Sequence, residues 1–365
     1  MTSDSQKLKL DELRQRIDAI DDQLLSLING RAGLAAEVAR YKSSRGDTPY
    51  YVPSREAEII RRLLANNKGV VPDVAVHGIF REVIGACLAL ESPMTIAYLG
   101  PQGTFTHLAA CRQFGSSATF MACKGLDEVF DEVEGKRATY GVVPVENAFE
   151  GAVTHTLDLF VDSRVSICAE VVLQIHHHLI ATAGSLKEIK KLVSHPQALA
   201  QCRQWLHANL PWVEILETSS TAEAVERIAE DKTIAAVGSL SVAERLELPV
   251  LHRNIEDHHE NTTRFLVIGR HDSPPSGDDK TAVILSASNQ PGALHALLTP
   301  FASRDISLSQ IESRPSKREL WQYFFFVDII GHQTDEVIAE ALAEIRAMPG
   351  AYLKMLGSYP ISKQL

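Results

Sequence analysis

Between Leu10 and Tyr41 the apolar residues keep a seven-residue beat. Leu13, Ile17, Ile20, Leu24 and Leu27 alternate steps of four and three, and the same seam continued meets Arg31, Leu34, Val38 and Tyr41. A stripe of this period belongs to an α-helix that packs along another helix. At 1.5 Å per residue a helix over 10–41 is about 48 Å long, more than a small compact domain spans. The segment therefore expects a partner helix, most simply from a second copy of the chain. Arg31 interrupts the stripe. An uncompensated Arg in an apolar seam costs several kcal/mol, so it should meet a carboxylate, such as Glu37 or a partner-chain Asp, or a ligand anion. Lys42 lies close to three turns on and shares that side. Arg14 points elsewhere and would reach the same place only from another helix.

A chain of 365 residues exceeds what one core usually carries, so two or three domains are expected. The net charge of -10 argues against a nucleic-acid surface or an anionic membrane partner, while leaving a small anion open to a local Arg/Lys cluster. Cys87, Cys111, Cys123, Cys168 and Cys202 are scattered without a CxxC, which suits reduced, buried thiols. Met1 to Lys9 is polar, with no signal-peptide core, and no run approaches membrane-spanning length. A cytoplasmic protein is expected.

Gly46 to Pro53 breaks the long helix, and Ser54 reads as the N-cap of a second one ending at Asn66 or Asn67. A third follows Pro72, with Val76, Ile79, Phe80, Val83, Ile84, Cys87 and Leu88 on one face. Glu91 continues that face, which is unusual for a carboxylate unless the helix end is frayed and wet. The run LDELRQRIDAIDDQLLSLINGR…EVARYK…REAEIIRRL resembles the all-helical chorismate mutases over roughly residues 8 to 91. The resemblance implies two long helices crossing between two chains, each pocket borrowing an Arg from its neighbour. By position Arg14 is the borrowed residue, with Arg31, Lys42 and Arg55 from the home chain. Glu56 would contact a substrate hydroxyl, and Glu91 falls where many members have Gln. The sequence departs from the family at Val52 and Ser54, where some members are acidic, which weakens contacts at the pocket rim.

The residue types suit the chemistry. The rearrangement of chorismate to prephenate is unimolecular and needs neither nucleophile nor base. It gains from holding the reactive conformer and from cations where charge grows on the ether oxygen. Two substrate carboxylates match two Arg forks, and Lys42 can serve the ether oxygen. A Glu91 that replaces a Gln donor must be protonated to do so, with its pKa raised by burial.

Glu91-Ser92-Pro93 closes the helical block. Strand Thr95–Leu99 follows, then the loop Gly100-Pro-Gln-Gly103-Thr104-Phe105-Thr106 and a helix through Phe114. Tyr140–Val145, Lys191–Val193, Val213–Leu216, Ile234–Val237 and Phe265–Ile268 are further short apolar strands between helical stretches, an α/β arrangement. Their ends gather Asn147, Ser194, Gln197, Ser219, Thr221, Ser239 and Thr263, where ligands of open α/β sheets sit. Glu146-Asn147 and Asn261-Thr262-Thr263-Arg264 put polar groups at the mouths of two buried strands. That fits a ligand held between them; it also fits ordinary strand-to-helix caps. GPQGTFTHLAA, YGVVPVENAFEG, SHPQALAQC and NTTRFLVIG, in this order, resemble prephenate dehydratase over roughly residues 94 to 270.

The resemblance implies two α/β lobes, periplasmic-binding-protein-like, with the site in the cleft between them. Thr263 matches the catalytic Thr, and Asn147 and Gln201 match polar active-site residues. Arg264 would bind substrate or brace the cleft, and Ser194, Thr221 and Thr104 are weaker matches. Prephenate must lose a ring hydroxyl and a carboxylate together. That needs a donor at the departing hydroxyl, and neither metal nor cofactor. A Thr hydroxyl is a poor acid, so Thr263 is expected to donate a hydrogen bond. His176-His177-His178 and His258-His259 look like metal tracts, but neither has helical i,i+4 spacing or a Cys partner, so no metal site is expected.

Asp272-Ser-Pro-Pro-Ser-Gly-Asp-Asp279 is a linker by composition. Strand Thr281–Ala287, helix Gly292–Ser303, strands Ile306–Ser313 and Trp321–Ile330, helix Asp335–Met348 and strand Tyr352–Tyr359 follow, a ferredoxin-like βαββαβ order. By pattern alone this is an oligomerisation module or a nucleic-acid binder, the latter disfavoured by the acidic charge. NQPGALHALLTPF and ISLSQIESRPSK resemble the ACT regulatory domain of such dehydratases. That implies phenylalanine bound at a dimer interface near Gly292, Ala293 and Leu294 and near Glu312, Ser313, Arg314 and Pro315. Without the second motif, Gly292 is an ordinary helix start.

The expected domains are a helical mutase domain at 1–92, an α/β dehydratase domain at 93–272 and an ACT domain at 279–365. The expected function is chorismate to prephenate to phenylpyruvate on one chain, a homodimer or higher oligomer, under feedback by phenylalanine. A ligand-sensing binding protein has no use for Arg14, Arg31, Lys42 and Arg55. A mutase with a degenerate middle domain would not keep Thr263, Asn147 and Gln201.

Overall fold

The computed structural model describes residues 3–45, 51–228, 231–316 and 322–362, so part of the expected Gly46–Pro53 break, and Lys317 and Trp321, lie outside the described residues. Helix α1 spans Ser3–Arg45, longer at both ends than the seam required, and is followed by α2 (Pro53–Asn66) and α3 (Asp73–Glu91). In the single chain the α1 seam stays uncovered: Ile17 is 57% exposed, Leu27 71% and Leu34 65%. An apolar stripe of that extent requires a cover. Helix α2 corrects one expectation. Its N-cap is Val52, without a side-chain cap bond, and Pro53 occupies the first turn. Proline there has its φ preset and lacks the N–H that would need a partner, so Ser54 is buried inside the helix instead of capping it.

The middle of the chain folds as two sheets. The first contains β1 (Thr95–Leu99), β2 (Thr119–Cys123), β3 (Tyr140–Asn147), the short β4 (Gly151–Ala152) and β5 (Ser166–Gln174), with α4 (Phe105–Phe114), α5 (Leu126–Glu134) and α6 (Thr154–Asp162) between them. The second contains β6 (His178–Ala181), β7 (Lys191–Ser194), β8 (Glu214–Glu217), β9 (Ile234–Gly238) and β10 (Val250–His252), with α7 (Pro196–Gln201), α8 (Arg203–Asn209), α9 (Thr221–Arg227) and α10 (Leu240–Arg245). Strand β11 (Thr262–Gly269) then returns to the first sheet, whose order is β2-β1-β3-β11-β5; the second runs β10-β6-β9-β7-β8. The chain thus crosses between lobes twice, and the cleft lies where it crosses. β11 runs antiparallel to both neighbours, pairing Thr263 with Asn147 and with Leu173. Strands β2, β4, β5 and β10 were not expected; β5 carries Glu170 in mid-strand, a poor strand signal, while β6 begins inside the strand-like His run.

The last block holds β12 (Asp279–Ser286), α11 (Ala293–Ala302), β13 (Leu308–Pro315), β14 (Tyr323–Ile330), α12 (Glu336–Ala347) and β15 (Tyr352–Pro360) in an antiparallel sheet of order β13-β14-β12-β15. Among the described residues no helix is long and apolar enough to cross a membrane.

Two junctions hold the blocks together. At the first, α3 meets the end of α4 so closely that a Cβ at Gly85 would lie 2.5 Å from the Phe114 carbonyl oxygen. Arg81 Nη1 donates to the Gln113 carbonyl at 3.0 Å, and the Gln113 amide donates to the Tyr51 hydroxyl. At the second, Arg264 reaches from β11 into the last block. Its Nε bonds Glu170 at 2.8 Å, while its terminal nitrogens bond Asp328 at 2.6 Å and Gln310 and Tyr359 at 2.7 Å. Lys280 adds a second cation at 3.1 Å from Glu170. Burial alone would lower the Arg264 pKa; Tyr359, Asp328 and Glu170 outweigh it and raise it.

Arg264→Leu leaves Asp328 buried without its guanidinium and should lower stability to urea by about 3–5 kcal/mol. Arg227→Ala, which removes only an exposed pair with Glu223, should stay within about 0.5 kcal/mol in the same titration.

Candidate functional site

A cavity of about 330 Å³ opens between the two lobes, with Thr104, Asn147, His177, Gln201, Thr221 and Thr263 in its walls. Among the described residues no Lys, Arg, Asp or Glu lines it. The register of β11 on β3 puts Thr263 beside Asn147, whose Nδ2 donates to Thr263 Oγ1 at 2.9 Å. That oxygen therefore accepts, and its own proton has no protein acceptor among the described residues. Asn147 Nδ2 also donates to Asn261 Oδ1 at 2.9 Å, and Asn261 Nδ2 donates to Gln201 Oε1 at 2.8 Å. His177 Nε2 reaches the same Gln201 oxygen at 2.9 Å. Burial lowers the His177 pKa, against the pull of the Gln201 bond and of Glu256, so the ring is neutral at pH 7 and donates from Nε2.

Other expected residues fall differently. Thr104 lies at the wall but spends its hydroxyl on the helix start: Oγ1 donates to the Leu99 carbonyl at 2.9 Å and accepts from the His107 N–H at 3.3 Å. The first turn of α4 behind it favours an anion. Thr221 opens α9 on the opposite wall. Ser194 is a correction: it is fully buried, donates to the Val237 carbonyl at 2.7 Å and does not line the cavity. Arg264 is a second. Side chains alternate along a strand, so the residue after Thr263 faces away from the cleft, into the junction described above. The histidine tracts are otherwise engaged, His176 with Glu256 at 2.7 Å and His258 stacked on Phe149. Among the described residues no three His, Cys, Asp or Glu side chains converge as a metal would need.

A second cavity, about 220 Å³, lies among α1, α2 and α3, with Arg31, Lys42, Arg55, Glu56 and Glu91 in its walls. Among the described residues neither Arg31 nor Lys42 forms an ion pair. Burial raises the Glu91 pKa, although Lys42 and Arg31 pull it down. Glu56 is raised by burial as well, against Arg81, which holds its Oε1 at 2.5 Å. Glu56 Oε2 is buried without a hydrogen-bond partner, a position that a ligand hydroxyl would satisfy. Arg55 pairs with Glu58 at 2.5 Å on the rim. Arg14 is absent from this cavity: it pairs with Asp11 at 3.4 Å, and lies about 26 Å up the helix from Arg31 at 1.5 Å per residue.

A third cavity, about 220 Å³, is lined by Gly292, Ala293 and Leu294 with Ser288, Tyr323 and Phe325. Gly292 has φ of 83°, a conformation that favours glycine at the turn into α11. The other expected effector segment does not reach it in the same chain. Arg314 pairs with Asp158 at 3.2 Å, Glu312 faces the first sheet, and Ser313 and Pro315 lie on the exposed side of the edge strand β13.

Sequence reading placed Asn261 at the strand mouth beside Thr263, and the structure puts it in the cleft's hydrogen-bond chain. It overlooked Glu150, Arg81 and the polar role of His177; Glu150 stands three residues after Asn147, and only Arg81 gave no signal.

Family models match in chain order: Chorismate mutase type II over residues 13–92, Prephenate dehydratase over 96–273 and ACT domain over 281–347. The bifunctional chorismate mutase/prephenate dehydratase of Aquifex aeolicus is 47% identical over 96% of this chain and 98% of its own. That of Pseudomonas aeruginosa is 45% identical over the same shares. Among solved structures, prephenate dehydratase of Arthrobacter aurescens in complex with L-Phe is 37% identical, with a TM-score of 0.67 over 73% of this chain and 90% of that one. The chain belongs to the family of bifunctional chorismate mutase/prephenate dehydratases.

Proposed function

We propose how this chain divides the family's two reactions, chorismate to prephenate and prephenate to phenylpyruvate, between its cavities on the way to L-phenylalanine. The helical cavity carries the rearrangement. Arg31 and Arg55 take substrate carboxylates, Lys42 serves the ether oxygen, and Glu56 receives a substrate hydroxyl on its unpartnered oxygen. Arg14 arrives from the α1 of a second copy, whose apolar seam covers the exposed one here. The observation that carries this half is that Arg31 and Lys42 line an open cavity and, among the described residues, form no ion pair.

The cleft between the lobes carries decarboxylation and dehydration. Thr263, fixed as an acceptor by Asn147, has its proton free to donate to the departing hydroxyl. Asn147 and Gln201 hold the substrate through amides, and Thr221 and the first turn of α4 offer further donors. The product gains aromaticity, which drives the loss of both groups. The Gly292–Leu294 cavity takes phenylalanine as the feedback effector, with Glu312 to Pro315 contributed across an ACT–ACT interface. The chain works in the cytoplasm as a homodimer or larger homo-oligomer, its five cysteines free thiols.

Incubating the protein with chorismate and following both products tests the assignment. Thr263→Ala should cost 10²–10³, order of magnitude, in dehydratase turnover while mutase turnover survives. Glu91 has a raised pKa, so it stays protonated to higher pH than a free Glu. Mutase turnover should therefore be full below that pKa and fall as pH rises through it, and Glu91→Gln should flatten that limb. Added phenylalanine should slow the dehydratase and bind in calorimetry; a silent titration with unchanged kinetics would remove the effector assignment.

A further inference from the structure

Arg81 of α3 stands behind the helical cavity without lining it. Its Nη1 donates to Glu56 Oε1 at 2.5 Å and to the Gln113 carbonyl at 3.0 Å, so the guanidinium is gripped between α2 and the end of α4. Among the described residues it is the one cation paired with Glu56. The Glu56 side chain is only 6% exposed and that of Arg81 16%. At that depth a carboxylate without a countercharge is strongly disfavoured.

Glu56 has a second cation near it. Arg31 lies close enough to draw the carboxylate towards its charged form, as Arg81 and Tyr51 also do. Tyr51 brings no countercharge, and Arg31 lines the cavity together with Lys42 and Arg55. A Glu56 with nothing behind it would turn to Arg31 and cancel a charge that the substrate's anionic groups need. The structure shows the opposite arrangement. Among the described residues Arg31 and Lys42 form no ion pair, and Glu56 Oε2 is buried without a hydrogen-bond partner. One guanidinium outside the cavity thus accounts for two features of its wall, the unpaired cations and the open acceptor.

We propose that Arg81 is a positioning residue of the mutase site: it takes the Glu56 charge from behind, so that Glu56 offers Oε2 to the substrate hydroxyl and leaves Arg31 to a substrate carboxylate and Lys42 to the ether oxygen. This rests on the helical cavity being the mutase site. Arg81 itself touches no substrate; it acts through Glu56.

The second activity of the chain serves as an internal control for folding. Arg81→Met should lower mutase kcat/KM on the order of 10²-fold, while dehydratase turnover of the same sample stays within about twofold. Arg81→Gln, which keeps a donor for the Gln113 carbonyl but no charge, should show the same selective loss, and Arg81→Lys should recover part of it. In a Glu56→Gln background there is no charge to hold, so adding Arg81→Met should cost little more. Unchanged mutase kcat/KM in Arg81→Met and Arg81→Gln, an equal loss of both activities in the two, or the same cost of Arg81→Met with Glu56 and with Glu56→Gln would overturn the proposal. If Arg31→Ala also kept mutase turnover, the assignment of the cavity itself would fall; if only the Arg81 variants did, the role of Arg81 alone would.

Discussion

The structure depends on β11 re-entering the first sheet between β3 and β5 after the whole second lobe has been built. This closes the lobes around a cleft, because the chain must cross the gap twice. It also sets the pairing of Thr263 with Asn147. A strand turns successive side chains to opposite faces. Thr263 therefore meets the cleft, and Arg264, one residue on, meets Glu170, Asp328 and Tyr359 at the boundary with the last block. The wall of one cavity and the attachment of the last sheet are thus consecutive residues of one strand.

The same alternation explains what could and could not be read in the sequence. The α1 seam, the strand at Thr95–Leu99 and the six elements of the last block emerged from periodicity to within a few residues, since apolar spacing is a local signal. The direction of Arg264 did not. It lay beside Thr263 in one motif, and only the pairing of β11 shows that adjacency in sequence means opposition in space. Ser194 stood at a strand end like the cleft residues, yet its hydroxyl faces β9 and bonds the Val237 carbonyl. Ser54 had the composition of a cap, and the neighbouring Pro53 took the first turn. For Arg264 and Ser194 the residue type was legible, and the partner, which lies far along the chain, was not. Arg81 is the extreme case: nothing near it in sequence indicates that it joins Glu56 to Gln113.

Charge separates the two cavities in kind. The helical cavity gathers Arg31, Lys42 and Arg55 with two carboxylates whose pKa burial raises against these cations and Arg81. Among the described residues the cleft has no charged side chain in its wall, and its polarity comes from oriented amides and hydroxyls. The difference suits the proposed assignment of one reaction to each. A rearrangement that builds charge on an ether oxygen is helped by fixed cations. A step that expels hydroxide equivalent and carbon dioxide needs a donor at one atom and a neutral surrounding that does not hold the leaving carboxylate too strongly.

These unlike cavities are neighbours through α4. Its first turn borders the cleft, at Thr104 to Thr106. Its last turn, at Gln113, holds Arg81 and Tyr51, and Arg81 in turn holds Glu56 in the wall of the helical cavity. Ten residues of helix amount to about 15 Å, so the Arg81–Glu56 pair of one site is anchored on the element that borders the other. The close approach at Gly85, where even a methyl group would strike the Phe114 carbonyl, leaves no slack in that contact. The mutase helices are built into the frame of the dehydratase, and the placement of Glu56 depends on both.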